Sequence, residues 1–229
     1  DTLNYTEVAS GGVQDSCEIY HTLRVPRGGE YTLVLADGTT VYLNAESELR
    51  FPKQFRGKNR KVYLTGEGYF DVQRNEKQPF IVEAQQVEIR VLGTSFGVRA
   101  YTKEENVLTT LIQGRVNVEA DGQQVELNPG QQADFNRGND RLTVAEVDVE
   151  QYVGWKDGRL VFDNKPLEFI LEELGRWYSF DVFYTNKELK EIPYSLNIKR
   201  HEDIAHVLKF IERTGKVKFE VNKNTIIVK

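Results

Sequence analysis

Methionine is absent from the 229 residues, cysteine occurs once, at Cys17, and histidine three times. One cysteine excludes an internal disulfide and, with so few histidines, a cysteine-rich zinc site. Cysteine scarcity suits the cytosol and the bacterial periplasm equally. No run approaches the roughly 18 apolar residues of a spanning helix, and the mean hydropathy of -0.52 carries no membrane-like bias. The first residues hold neither the basic nor the apolar region of a secretory signal. A chain that opens on Asp1 and has no methionine does not begin at a translation start, so an upstream segment is expected to have been removed. Disorder is excluded by 39% apolar and 11% aromatic residues, which can fill one large core or two smaller ones.

Charge and glycine divide the chain near residue 150. Residues 1–150 hold 16 basic and 23 acidic side chains, net -7, whereas 151–229 hold 14 and 12, net +2. Neither half has the basic surplus of a nucleic-acid binder. The densest basic run, Arg56, Lys58, Arg60 and Lys61, lies in the polar stretch KQFRGKNRK and reads as a solvated loop. Fourteen of the 18 glycines precede residue 150; the others are Gly154, Gly158, Gly175 and Gly215.

Before the boundary, apolar residues alternate in short runs separated by turn chemistry. Tyr31, Leu33 and Leu35 share one face of YTLVL, Asp37-Gly38 turns the chain, and Val41 and Leu43 return inward. The alternation recurs through Val62 and Leu64, Val87, Ile89 and Val91, and Phe96, Val98 and Ala100, with a second turn at Asp121-Gly122. About ten strands without a helical stretch predict an all-β sandwich, a jelly roll or a solenoid-like stack.

After Trp155 the period lengthens. Leu167, Ile170, Leu171, Leu174 and Trp177 or Tyr178 step by three and four, with Asp163, Asn164 and Pro166 as a helix start. A second helix follows Glu202 and Asp203, buries Ile204, Val207, Leu208 and Ile211, and stops at Gly215. With RLVF, FDVFY, YSLNI, VKFEV and TIIVK as strands, the order β-α-β-β-α-β-β predicts a small α+β domain with two helices on one compact sheet. The fold class is thus mainly β plus α+β. The expected division is an extended segment over 1–20, an all-β domain over 21–150 and an α+β domain over 151–229.

The inventory for catalysis is poor. His201 and His206 are five residues apart, whereas two helical ligands of one metal favour four. His21 has no partner ligands in the β module, as a jelly-roll metal site would require. Cys17 lies in a polar stretch without a basic neighbour to activate it. Gly66 and Gly68 in TGEGYFDV lack the lysine and helix of a phosphate loop, and read as a bulge; Gly93 and Gly97 in VLGTSFG read as a bend. No catalytic, cofactor or metal residue is therefore expected, and the chain does not read as an enzyme. Tyr31, Tyr42, Phe51, Tyr63, Tyr69 and Phe70 raise one alternative, an aromatic platform on a carbohydrate-binding sandwich.

The segments VPRGGEYTLVLADGTTVYLNAESELRFP, LTGEGYFDV, PFIV, VLGTSFGVRAY, LIQGRVNV and LNPGQQADF resemble, in that order, the periplasmic FecR-type domain of anti-sigma regulators. The block from WKDGRLVFDNKPLEFILEELGRWYSFDVFY onward is similar to the domain that follows it in Bacteroides-type members, related to the secretin and TonB short N-terminal (STN) fold. Gly97 stands where members commonly carry Asn, and both residues tolerate a left-handed turn.

The resemblance implies the periplasmic part of a single-pass inner-membrane anti-sigma factor. Its missing N-terminal segment would carry the transmembrane helix and hold an extracytoplasmic-function sigma factor. The periplasmic part would receive a signal from a TonB-dependent outer-membrane transporter, of the SusC-like or the siderophore-importing kind. A terminal strand often lies at a sheet edge, where unpaired backbone groups can accept a partner strand. The transporter's N-terminal signalling domain is accordingly expected to dock near Phe183, Tyr184 and Ile227.

Overall fold

A computed structural model of the chain describes residues 2–4, 19–200 and 202–229; Cys17 and His201 lie outside the described residues. The chain divides into two compact units, Asp1–Pro26 with Glu30–Val149, and Arg27–Gly29 with Glu150–Lys229.

The first unit contains the strands β1 (Thr2–Asn4), β2 (Tyr20–Arg24), β3 (Tyr31–Val34), β4 (Thr40–Leu43), β5 (Glu48–Pro52), β6 (Arg60–Asp71) and β7 (Phe80–Ala84). It continues with β8 (Val87–Val91), β9 (Ser95–Ala100), β10 (Asn106–Gln113), β11 (Val116–Ala120), β12 (Gln123–Leu127), β13 (Gln131–Asn136) and β14 (Arg141–Glu146). These 14 strands are continuous through β6. Its N-terminal half pairs with β5 and β7 in a layer ordered β2-β5-β6-β7-β8-β11-β12. Its C-terminal half pairs with β4 and β9 in a layer ordered β1-β3-β4-β6-β9-β10-β13-β14. All pairs are antiparallel except β1 with β3 and β6 with β7.

The change of layer occurs at Gly66. Its φ is +95°, and a Cβ there would lie 2.5 Å from Ser47 Oγ, so only glycine fits. The same Ser47 Oγ accepts a hydrogen bond from the Glu67 N–H at 2.8 Å, which fixes the strand as it crosses. The alternating residues of both layers meet in one core that includes Leu33, Val41, Val62, Ile89, Val98 and Phe135. Phe70 and Phe96 stack within it, with centroids 5.2 Å apart.

Three expectations change with the structure. Arg60 is no solvated loop residue: it opens β6 at 1% exposure, with Nη1 2.7 Å from Asp37 Oδ2. Gly97 forms no left-handed turn, because it is a buried mid-strand residue of β9 between Tyr69 and Thr110. The unit also has more strands than the alternation announced, since β1, β2 and β14 are short or largely exposed.

The second unit opens with α1 (Glu150–Val153) and a 3-10 turn over Gly154–Asp157. Then follow β15 (Arg159–Pro166), α2 (Leu167–Tyr178), β16 (Asp181–Tyr184), a 3-10 turn over Lys187–Glu191, β17 (Pro193–Lys199), α3 (Ile204–Glu212), β18 (Phe219–Asn222) and β19 (Thr225–Val228). The period-3.6 stripe of α2 is buried at Leu167, Ile170, Leu171, Leu174 and Trp177. Asp203 caps α3 by accepting from the Ala205 N–H at 2.9 Å, and Val207, Leu208 and Ile211 are buried on it.

In place of one sheet there are two, β15-β17 and β16-β19-β18. Asp163 and Asn164 do not start α2; they form a bulge in β15, where Asn164 has φ 49° and its N–H donates to Ser195 Oγ at 2.9 Å. Pro166 alone holds the N-cap position.

Candidate functional site

Helix α2 ends at Ser179, which adopts the left-handed conformation with φ 58°. The Phe180 N–H then bonds back to the Gly175 carbonyl at 3.3 Å. Gly175 is required at this return, because a Cβ would meet the Phe180 oxygen at 2.8 Å. With Phe180 buried, the chain leaves as β16, anchored by the Asp181 N–H to the Asn224 carbonyl at 2.8 Å.

Strand β16 runs parallel to β19, pairing Val182 with Ile226, Phe183 with Ile227 and Tyr184 with Val228. Row by row, Phe183 and Ile227 therefore share one face, and Ile226 and Val228 point to the other, where both are buried. Phe183 is 60% exposed and so is not packed beneath a helix. Ile227 beside it is half-buried, and Glu220 on β18 completes the row.

Tyr184 does not join them. It shares the face of Val228, and its hydroxyl is buried without a hydrogen-bond partner among the described residues. Burial pushes the phenol well above its ordinary range, and the carboxylates of Glu168 and Glu172 on α2 add to the shift. The Lys190 ammonium lies 5.2 Å from its ring centroid. Tyr184 is thus a protonated packing residue behind the surface that Phe183 and Ile227 present.

The expected edge moves as well. The last strand, β19, is central, and the open edges of its sheet are β16 and β18. Phe183 consequently sits on an edge strand, with no strand on its outer side among the described residues and an exposed aromatic ring on one face. A second surface in this unit had no signal in the sequence. Between β17 and α3 runs a groove of about 500 Å³ lined by Ser195, Asn197, His206, Lys209, Phe210 and Arg213, with Phe210 58% exposed. Phe210 falls one step off the buried stripe of α3, a position that alternation counts as solvent.

The six aromatics of the carbohydrate alternative do not gather on one face. Phe51 and Phe70 are in the core and Tyr31 packs against it. Tyr42 and Tyr69 pair edge-on with centroids 5.8 Å apart, whereas Tyr63 lies in the other layer under the Arg50 guanidinium. His21 stacks on Phe51 at 6.1 Å. Among the described residues no group of three or more His, Cys, Asp or Glu is placed to hold a metal ion. No helix of the described residues is long and apolar enough to cross a membrane.

Comparison with protein families matches residues 21–117 to the FecR protein model and residues 159–228 to the FecR C-terminal model. The chain belongs to the FecR family. Two crystal structures of a candidate anti-sigma factor from Parabacteroides distasonis ATCC 8503 superpose on it with a TM-score of 0.84 and 27% identity. They cover 91% and 92% of this chain and 98% of the other in each case. Comparison with curated proteins gives no match. In this FecR-family chain the first match runs from β2 into β11, and the second spans β15 to β19 and so contains Phe183, Tyr184 and Ile227.

Proposed function

We propose that this chain is the periplasmic signal-receiving region of a membrane-anchored anti-sigma factor. It relays a signal from a TonB-dependent outer-membrane transporter, SusC-like or siderophore-importing, to an extracytoplasmic-function sigma factor held by a cytoplasmic segment. The FecR membership and the likeness over 91% of this chain to a candidate anti-sigma factor support the regulatory role. The observation that carries the docking site is the exposed Phe183 on the open strand β16, in register with Ile227. An extended segment of the transporter's N-terminal signalling domain can add to that edge through backbone hydrogen bonds while an apolar side chain covers Phe183.

The test is titration calorimetry of that signalling domain against this chain and its F183D and I227D variants. Each aspartate places a charge on the apolar contact and is expected to weaken binding at least about tenfold, while thermal melting shows the variants folded. Unchanged affinity in folded variants would remove β16 as the docking edge. Tyr184→Phe serves as the control, because it keeps the ring and removes a hydroxyl that faces away from the partner; its binding should match the wild type.

A further inference from the structure

The first unit carries a groove of about 540 Å³ where β8 ends and β11 begins, lined by Arg74, Arg90, Leu92, Arg115, Asn117 and Glu126 among others. Its position follows from the pleat. Val91, Val116 and Val118 point into the core, so Arg90 and Asn117, which are register partners, point outward beside Glu126 of β12. Arg74 reaches the same groove from the segment after β6, held where the Asn75 N–H bonds the Leu92 carbonyl at 2.7 Å.

Three guanidinium groups thus face one lining carboxylate, in the half of the sequence whose net charge is -7. Each arginine is paired, Arg74 with Glu76, Arg90 with Glu88 and Arg115 with Glu126, but all of these side chains are at least 32% exposed. Such exposed pairs hold their partners weakly and can exchange them. Among them Leu92 is 44% exposed. The arginine fork matches carboxylates in a bidentate way, and a bare leucine between the forks calls for an apolar side chain. A long polyanion such as nucleic acid would run past the three arginines into the net negative charge of this half, which a short segment confined to the groove avoids, and an inorganic anion would leave Leu92 uncovered.

We propose that this groove is a binding site for an acidic, extended peptide segment of a partner protein, with carboxylates on Arg74, Arg90 and Arg115 and an apolar residue on Leu92. It is independent of the docking surface around Phe183. The probe is a fluorescein-labelled peptide with one leucine flanked on each side by three glutamates, titrated by anisotropy against the full chain at low salt. Saturable binding is expected, with R90A/R115A at least about tenfold weaker. Arg24→Ala, an equally exposed arginine of β2 outside the groove, should bind within about twofold of wild type. Thermal melting confirms that the variants are folded. Absence of saturable binding by the wild type, a smaller loss in R90A/R115A, or an equal loss in R24A would each overturn the proposal.

Discussion

At the scale of single residues, buried charge takes two forms in the first unit. The Arg60 guanidinium has lost its water but bonds Asp37 Oδ2 at 2.7 Å and the carbonyls of Gln73 and Gln78 at 2.8 Å, and lies 5.4 Å from the centre of the Phe80 ring. Removing one member of a buried pair leaves the other uncompensated. Arg60→Ala is therefore expected to cost about 3–5 kcal/mol in urea unfolding, and Arg60→Met, which keeps the packing volume, should cost less than alanine. Asp134 is the opposite case: burial raises its carboxyl pKa, and the Asn106 amide, donating to Oδ2 at 2.9 Å, offsets only part of that. A folded-state pKa above the unfolded one means that the folded protein gains stability as pH falls through the folded pKa, the gain being complete below the unfolded pKa. Asp134→Asn should melt higher than wild type at neutral pH, and the advantage should vanish near about pH 3. An advantage that persists there would show that the charge is not its source.

At the scale of elements, β6 is where the first unit is decided. Alanine at Gly66 would have to hold a positive φ and move Ser47, which combines a left-handed strain of about 1–2 kcal/mol with an overpacking cost of about 1–3 kcal/mol. Gly66→Ala should lower the urea midpoint far more than Gly57→Ala, because Gly57 has an ordinary φ and its nearest added contact is 3.9 Å away. The alternation that predicts Val62 and Leu64 as inward residues of β6 gives way at Gly66 to a run buried through Phe70, so the core positions before the switch were readable and the change of layer was not. Helix α2 was readable for the same reason: its stripe is local. Its start was not, because Asp163 and Asn164 suit a helix cap and a strand bulge alike. The central place of β19 depends on its pairing with β16 across α3 and β17, which no local pattern carries. Phe183 and Ile227 could still be placed on one face, since alternation survives any strand order; the inward turn of Tyr184 follows from the same alternation, and its proximity to them along the chain hid it.

At the scale of the whole molecule, the FecR-family chain joins an acidic, glycine-rich β unit to a near-neutral α+β unit, and the proposed receiver surface lies wholly within the second. A ligand that binds only the folded form stabilises it by mass action, by about 2.7 kcal/mol when it is present at 100 times its Kd. The transporter's signalling domain should therefore protect the second unit. Residues 151–229 hold 14 lysines and arginines, and trypsin can cut after most of them, though not after Lys165, which precedes Pro166; the sites include Lys187 and Lys190 in the 3-10 turn just after β16. With the signalling domain in excess, cleavage in this region should slow by about two orders of magnitude if it proceeds through unfolding of that unit. Fragments from β2 to β13 should accumulate at an unchanged rate. F183D should cut the protection at least about tenfold while leaving the rate without partner close to wild type, because an exposed aspartate on β16 adds no buried charge. If wild type and F183D are protected equally, the partner reaches the second unit by another surface, and the groove beside Phe210 becomes the next to be mutated.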